Sequence, residues 1–194
     1  MFVAAVPPDD ALDHLDDFLE PRRDAARSAG ELRWVVREQL HVTVAVLAEV
    51  PDRCLDDLLA RLERAAHRRT TFPTALAGGG AFPNVGRARV LWAGLDLDEP
   101  GRTEIARLAT GCRAAAGKAG IAVDGSRFRP HLTVARCRHP LEATSWVRLL
   151  DGYRGPGWRV EAVDLVASFL GEGPRKRPRY ETVARFALRD DPTG

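Results

Sequence analysis

Apolar residues follow two rhythms along the chain: short unbroken or alternating runs, and longer stripes at helical spacing. Residues 2–6 are apolar throughout and close on Pro7-Pro8, which predicts a short buried strand. Asp9 or Asp10 then caps a helix striped by Leu12, Leu15 and Leu19, and Gly30 ends that region. Residues 32–36 and 41–47 read as strands. A second helix follows Pro51-Asp52, with Leu55, Leu58, Leu59 and Leu62 on its apolar face. Residues 70–77 and 88–95 read as strands on either side of a Gly78-Gly79-Gly80 hairpin loop, before a third helix over 103–118 striped by Ile105, Leu108, Ala109 and Cys112. An extended segment at 127–129, a strand at 131–137 and a helix at 141–150 come next. Closing strands at 159–169 and 180–188 flank a polar loop, 171–179.

This order contains a repeat. Helix, strand, His-bearing strand and helix occur once around His41 and once around His131, 90 residues apart. No flexible linker or shift in composition separates the copies. The expectation is one bilobal α+β domain over residues 1–194, built from two similar halves.

Composition narrows the classes of function. Lys and Arg number 29 against 27 Asp and Glu, so the near-neutral balance excludes a wholesale basic-tail nucleic-acid binder and leaves room only for a local basic face. No apolar stretch approaches the length needed to cross a bilayer, so no membrane association is expected. The N-terminus has no basic region ahead of its apolar run and does not read as a signal peptide. Cys54, Cys112 and Cys137 form no CxxC pair and read as small hydrophobes, consistent with a cytoplasmic protein.

The chemistry concentrates in two tetrapeptides, His41-Val42-Thr43-Val44 and His131-Leu132-Thr133-Val134. Side chains alternate along a strand, so each His shares a face with its Thr, roughly 6.5–7 Å away, while the aliphatic residues point into packing. One strand histidine is ordinarily structural; two in corresponding places point to a shared groove. An imidazole titrates near neutrality, so one can serve as base while its partner serves as acid. That pairing suits in-line displacement at phosphorus, with the Thr hydroxyls donating to non-bridging oxygens. Metal binding is disfavoured, because Thr is a poor zinc ligand and no acidic residue stands close to His131.

Further segments carry a resemblance. Arg33-Trp34-Val35 and Glu38-Gln39-Leu40 precede the first motif; Phe82-Pro83 and Arg89-Val90-Leu91-Trp92-Ala93-Gly94 lie between the motifs; Phe128-Arg129-Pro130 leads into the second, and Tyr180-Glu181-Thr182-Val183 follows. Together they resemble the 2H phosphoesterase superfamily, and within it the RNA 2',3'-cyclic phosphodiesterase family, historically called 2'-5' RNA ligases. The resemblance implies a bilobal 2H phosphoesterase fold: pseudo-symmetric halves, antiparallel sheets flanking a central groove, and helices outside. It also implies metal-independent hydrolysis of RNA 2',3'-cyclic phosphate ends to 2'-phosphates, without a cofactor; a monomer is expected. Carried over by motif position, His41 is the proton donor to the 3' oxygen, His131 the proton acceptor from water, and Thr43 and Thr133 hold the phosphate. The residues alone leave open which His is acid and which is base.

The resemblance also assigns phosphate binding to Arg136. Strict alternation from His131 puts that residue on the opposite face, so it reaches the groove only through a twist or bulge, or else forms a surface ion pair. After its first motif the family commonly has a basic residue, Phe, Leu and Gly, where this chain has Ala45-Val46-Leu47-Ala48; that implies one phosphate contact fewer. Phe82 and Tyr180 are expected either to stack on a base or to join the core. Arg127 and Arg129 would share the His131 face but for Pro130, and Arg175-Lys176-Arg177 with Arg179 reads as a solvated loop or an RNA clamp. Alternative readings are the same chemistry on a cyclic nucleotide or an ADP-ribose cyclic phosphate, 2'-5' RNA ligation, and a non-catalytic module that binds RNA ends.

Overall fold

The computed structural model describes residues 1–26, 30–174 and 177–190. Along the chain it runs β1 (Phe2–Ala5), α1 (Asp9–Ala26), β2 (Leu32–Trp34), β3 (Val42–Val46), α2 (Asp52–His67), β4 (Phe72–Phe82) and β5 (Ala88–Asp96). There follow α3 (Glu99–Lys118), β6 (Leu132–Leu141), α4 (Thr144–Asp151), β7 (Arg154–Val160), β8 (Ala162–Phe169) and β9 (Arg179–Ala187). The strands form one curled antiparallel sheet in the order β7-β4-β5-β6-β3-β1-β8-β9, with β2 as a further partner of β6.

The halves expected from the sequence are present, but their strands interleave. α1, β3 and β4 begin 90 residues before α3, β6 and β8. Yet β1 is held between β3 and β8, and β5 between β6 and β4, so each spatial half borrows strands from the other repeat. The two halves of the sheet meet where Val42 pairs with Leu132.

Alternation sorts the side chains to the two faces of this sheet. Val3, Ala5, Val42, Val44, Leu132 and Val134 enter the main core, together with Leu12, Leu15, Leu19, Leu58, Leu62, Ile105 and Leu108 from the helix stripes. Each fully buried Leu or Val there contributes about 1.5–3 kcal/mol of transfer free energy. The opposite face carries a small separate cluster of Phe2, Ala4, Val166 and Tyr180.

Three elements depart from the sequence reading. The glycines 78–80 do not form the hairpin loop; they lie inside β4, where a register shift falls between Leu76 and Gly79 and Gly78 takes φ +68°. A Cβ at Gly79 would collide with Leu150 of α4, and one at Gly80 with the Trp92 ring, so the missing side chains let helix and indole close on the strand. The closing strand divides into β7 and β8, of which β7 pairs with β4 and β8 with β1 and β9. Finally, α3 starts at Glu99, because the Asp98 side chain accepts the Gly101 N–H at 2.7 Å and caps the helix ahead of its apolar stripe. Cys112 is buried, which pushes its thiol up to about 12; Cys54 and Cys137 are half-buried and all three are free.

Candidate active site

The two motif strands are immediate neighbours. With Val42 opposite Leu132 in an antiparallel pair, His41 falls beside Thr133 and Thr43 beside His131 across the seam. All four polar side chains therefore leave one face of the sheet at its centre, and the four aliphatic neighbours leave the other.

Each imidazole is held the same way. His41 Nδ1 lies 2.7 Å from the Gln39 carbonyl oxygen, and His131 Nδ1 lies 2.7 Å from that of Arg129. A carbonyl only accepts, so Nδ1 carries the proton and donates it, leaving Nε2 of each ring for chemistry. Aromatic rings complete the clamp. Phe2 stacks on His41 with centroids 4.6 Å apart, and Tyr180 meets it edge-on at 5.7 Å. Phe82 meets His131 edge-on at 4.9 Å, with Trp92 tilted at 6.1 Å. Phe82 and Tyr180 thus sit in the groove against the imidazoles rather than within the main core.

These surroundings favour neutral imidazoles. Burial pushes His41 below its ordinary value, the bond to Gln39 works against that, and the charges of Arg136 and His131 lower it further. Burial also lowers His131, opposed by its bond to Arg129 and reinforced by the charges of Arg129 and Arg136.

Arg136 reaches the groove through a bulge. Leu91 pairs with Ala135 but Trp92 with Thr133, so β6 holds one extra residue; Val134 and Ala135 are both buried and the alternation changes phase. Its mirror occurs in β3, where Val3 pairs with Ala45 but Ala4 with Thr43. Val46 consequently occupies the place that Arg136 takes 90 residues later.

Two cavities open over this centre. The larger, about 680 Å³, is lined by His41, Phe2, Arg33, Gln39 and Tyr180 among others; the smaller, about 240 Å³, by His131, Phe82, Arg113, Arg127 and Arg129 among others. Thr43, Val46, Thr133 and Arg136 line both. Arg127 and Arg129 therefore do share a cavity with His131 despite Pro130. Of the basic loop, Arg175 and Lys176 lie outside the described residues. Arg177 lines the larger cavity, while Arg179 is held by Glu172 and Glu181 at 2.9 and 3.0 Å.

Motif reading alone does not pick out Phe2 or Trp92 as neighbours of the histidines, nor Arg33, Gln39 and Arg113 as groove residues. One signal was available: Phe2 and Trp92 are both aromatic and stand 90 residues apart, the same offset as the histidines.

Comparison with known proteins bears on family and fold. Residues 7–169 match the model of the 2'-5' RNA ligase superfamily. The chain is 34% identical over 159 residues to the RNA 2',3'-cyclic phosphodiesterase of Thermus thermophilus, across 79% of this chain and 74% of that protein. It is 26% identical over 157 residues to its namesake in Aquifex aeolicus, across 80% and 81%. Among solved structures, TT0787 of Thermus thermophilus superposes with a TM-score of 0.74 at 30% identity, covering 98% of each chain. E. coli LigT in its apo form gives 0.72 at 25% identity, covering 97% of this chain and 96% of that one.

Proposed function

The chain belongs to the 2'-5' RNA ligase superfamily, and from that premise we propose that it hydrolyses 2',3'-cyclic phosphate ends of RNA to 2'-phosphates. Curated relatives spanning most of the chain carry the name of that activity. The observation that carries the reading is the meeting of both His–Thr pairs on adjacent antiparallel strands, with Arg136 beside them.

In this mechanism the phosphoryl group sits over the residues common to both cavities. Thr43 and Thr133 hydroxyls donate to its non-bridging oxygens, and the Arg136 guanidinium balances the charge that grows there. The two cavities differ in what they can hold. The larger, about 680 Å³, has ample room for a nucleoside beside His41, and the smaller, about 240 Å³, leaves space for water beside His131. With the nucleoside on the His41 side, as the resemblance implies, water approaches from the His131 side and gives its proton to His131 Nε2 as its oxygen bonds to phosphorus. The P–O3' bond breaks on the opposite side, and His41 Nε2–H protonates the departing 3' oxygen. The product is a 2'-phosphate with a free 3'-hydroxyl. His41 as acid and His131 as base are the roles implied by the resemblance, and the roomier cavity on the His41 side is compatible with them.

The reaction is proposed to be metal-independent. The donor set supports this: two imidazoles, two hydroxyls and a guanidinium face the centre, and no cluster of three or more His, Cys, Asp or Glu side chains gathers among the described residues. No helix among the described residues is long and apolar enough to cross a membrane.

The test is incubation of an oligoribonucleotide ending in a 2',3'-cyclic phosphate with the protein in excess chelator. A 2'-phosphate product is expected. Absence of turnover, or a 3'-phosphate product, would overturn the reading.

A further inference from the structure

Arg33 and Arg136 are Cα partners in the antiparallel pairing of β2 with β6. Directly opposed residues share a sheet face, so two guanidiniums stand side by side there, an arrangement that is unfavourable without a counter-charge. No carboxylate lies within ion-pair distance of either among the described residues. Both instead line the larger cavity, the one that also contains His41 and Tyr180. Both also act on the same phenol: burial pushes the Tyr180 hydroxyl up, and the charges of Arg136 and then Arg33 pull it back. The pair therefore faces the groove, unneutralised, over the space allotted to the nucleoside.

The two cations differ in position. Arg136 lines both cavities and stands at the phosphoryl centre, whereas Arg33 lines the larger one alone. It lies one strand further from β5, on β2. In the in-line geometry the ribose stays on the His41 side, and its 5' carbon leads away from the reacting phosphorus through that same cavity. An anion attached there arrives beside a guanidinium that no carboxylate among the described residues neutralises.

We propose that Arg33 binds the phosphodiester joining the terminal nucleotide to the rest of the RNA, so that the site prefers oligonucleotide ends over cyclic mononucleotides. This rests on the function proposed above and names its substrate more narrowly. Arg suits the role because its planar fork can donate two hydrogen bonds to one phosphate.

The experiment compares kcat/KM for two probes, adenosine 2',3'-cyclic phosphate and the dinucleotide ApA ending in a 2',3'-cyclic phosphate. The wild-type ratio should favour the dinucleotide, and Arg33→Gln should reduce that ratio about tenfold, the scale of one charge-assisted hydrogen bond. Arg33→Lys should recover part of it, since a point charge replaces the fork. A ratio unchanged in Arg33→Gln, whether both rates stay or both fall together, would overturn the subsite alone. If the wild-type protein turned over neither probe, the proposed function would fail and the subsite with it. Because the readout is a ratio measured on one preparation, partial unfolding of a variant cancels.

Discussion

Around His41 the neighbours are Phe2, stacked nearly face to face, and Tyr180; around His131 they are Trp92 and Phe82, tilted or edge-on. Both rings hang from equivalent strands, donate Nδ1–H to the carbonyl two residues earlier, and precede the same bulge. Beyond that scaffold the two sides part. At equivalent places after the bulge, one side offers Val46 and the other Arg136. One cavity is about 680 Å³, and the other is about 240 Å³ and rimmed by Arg113, Arg127 and Arg129. Repetition therefore fixes where two imidazoles meet, and single residues across the pseudo-two-fold axis make the two sides chemically different.

The largest effect tests the shared scaffold. His41→Ala and His131→Ala should each lower kcat/KM by at least about 10²-fold, the usual contribution of a general acid or base. The double variant should fall well short of the product of the two losses, because the residues act as a unit. A near-wild-type rate in either single variant would break the pairing.

Next come the hydroxyls, which the two sides share without difference. Thr43→Val and Thr133→Val should each cost about 10²-fold in kcat, as for loss of one donor to a developing oxyanion. A large loss at one Thr and none at the other would show that the phosphoryl group is not centred on the axis.

The Val46 and Arg136 positions give a sharper test of equivalence. Arg136→Gln should reduce kcat/KM by about tenfold or more, as expected for a lost charge-assisted contact. Val46 is 47% exposed, so an added guanidinium there meets no packing barrier. Val46→Arg in the Arg136→Gln background should restore part of the rate; no recovery would confine the equivalence to the backbone.

Dependence on pH separates the two imidazoles. Both titrate below the ordinary 6.5, so kcat/KM should be bell-shaped with its maximum below pH 6.5, where the free enzyme most fully holds one proton between them. A bound phosphate anion stabilises imidazolium, so the kcat profile should lie at higher pH. Arg136 depresses both rings, and Arg136→Gln should move both limbs upward. Arg129 depresses His131, so Arg129→Gln should move one limb. Profiles of kcat and kcat/KM with the same maximum would contradict the charge argument.

The smallest effect concerns the scaffold alone. β4 carries Gly79 where β8, 90 residues later, carries Phe169. Gly79→Ala would press its Cβ on Leu150 and, at 2.9 Å, on the Trp92 carbonyl oxygen, so thermal unfolding should show a loss of about 1–3 kcal/mol from overpacking. An unchanged melting temperature would show that α4 can retreat from the strand.

Much of this was legible in the chain because it depends on local rules. The helix stripes at Leu12-Leu15-Leu19 and Leu58-Leu62 met the core, since amphipathic spacing is a property of neighbouring residues. The alternation in His41-Val42-Thr43 and His131-Leu132-Thr133 fixed which side chains share a face for the same reason. Gly78-Gly79-Gly80 misled as a loop because its permissiveness serves close approach by Leu150 and Trp92, contacts remote in sequence.

By itself the sequence determined most of the helices and strands, the doubled motif and hence the chemistry it could perform, all of which follow from residue type and short-range periodicity. Tertiary structure alone decided the rest. The Val42–Leu132 register, the bulge that turns Arg136 into the groove, the division into a large and a small cavity, and the burial that lowers both imidazoles each arise where strands distant along the chain pack together. Register, volume and desolvation are properties of a packed neighbourhood, and no short window of residues contains one.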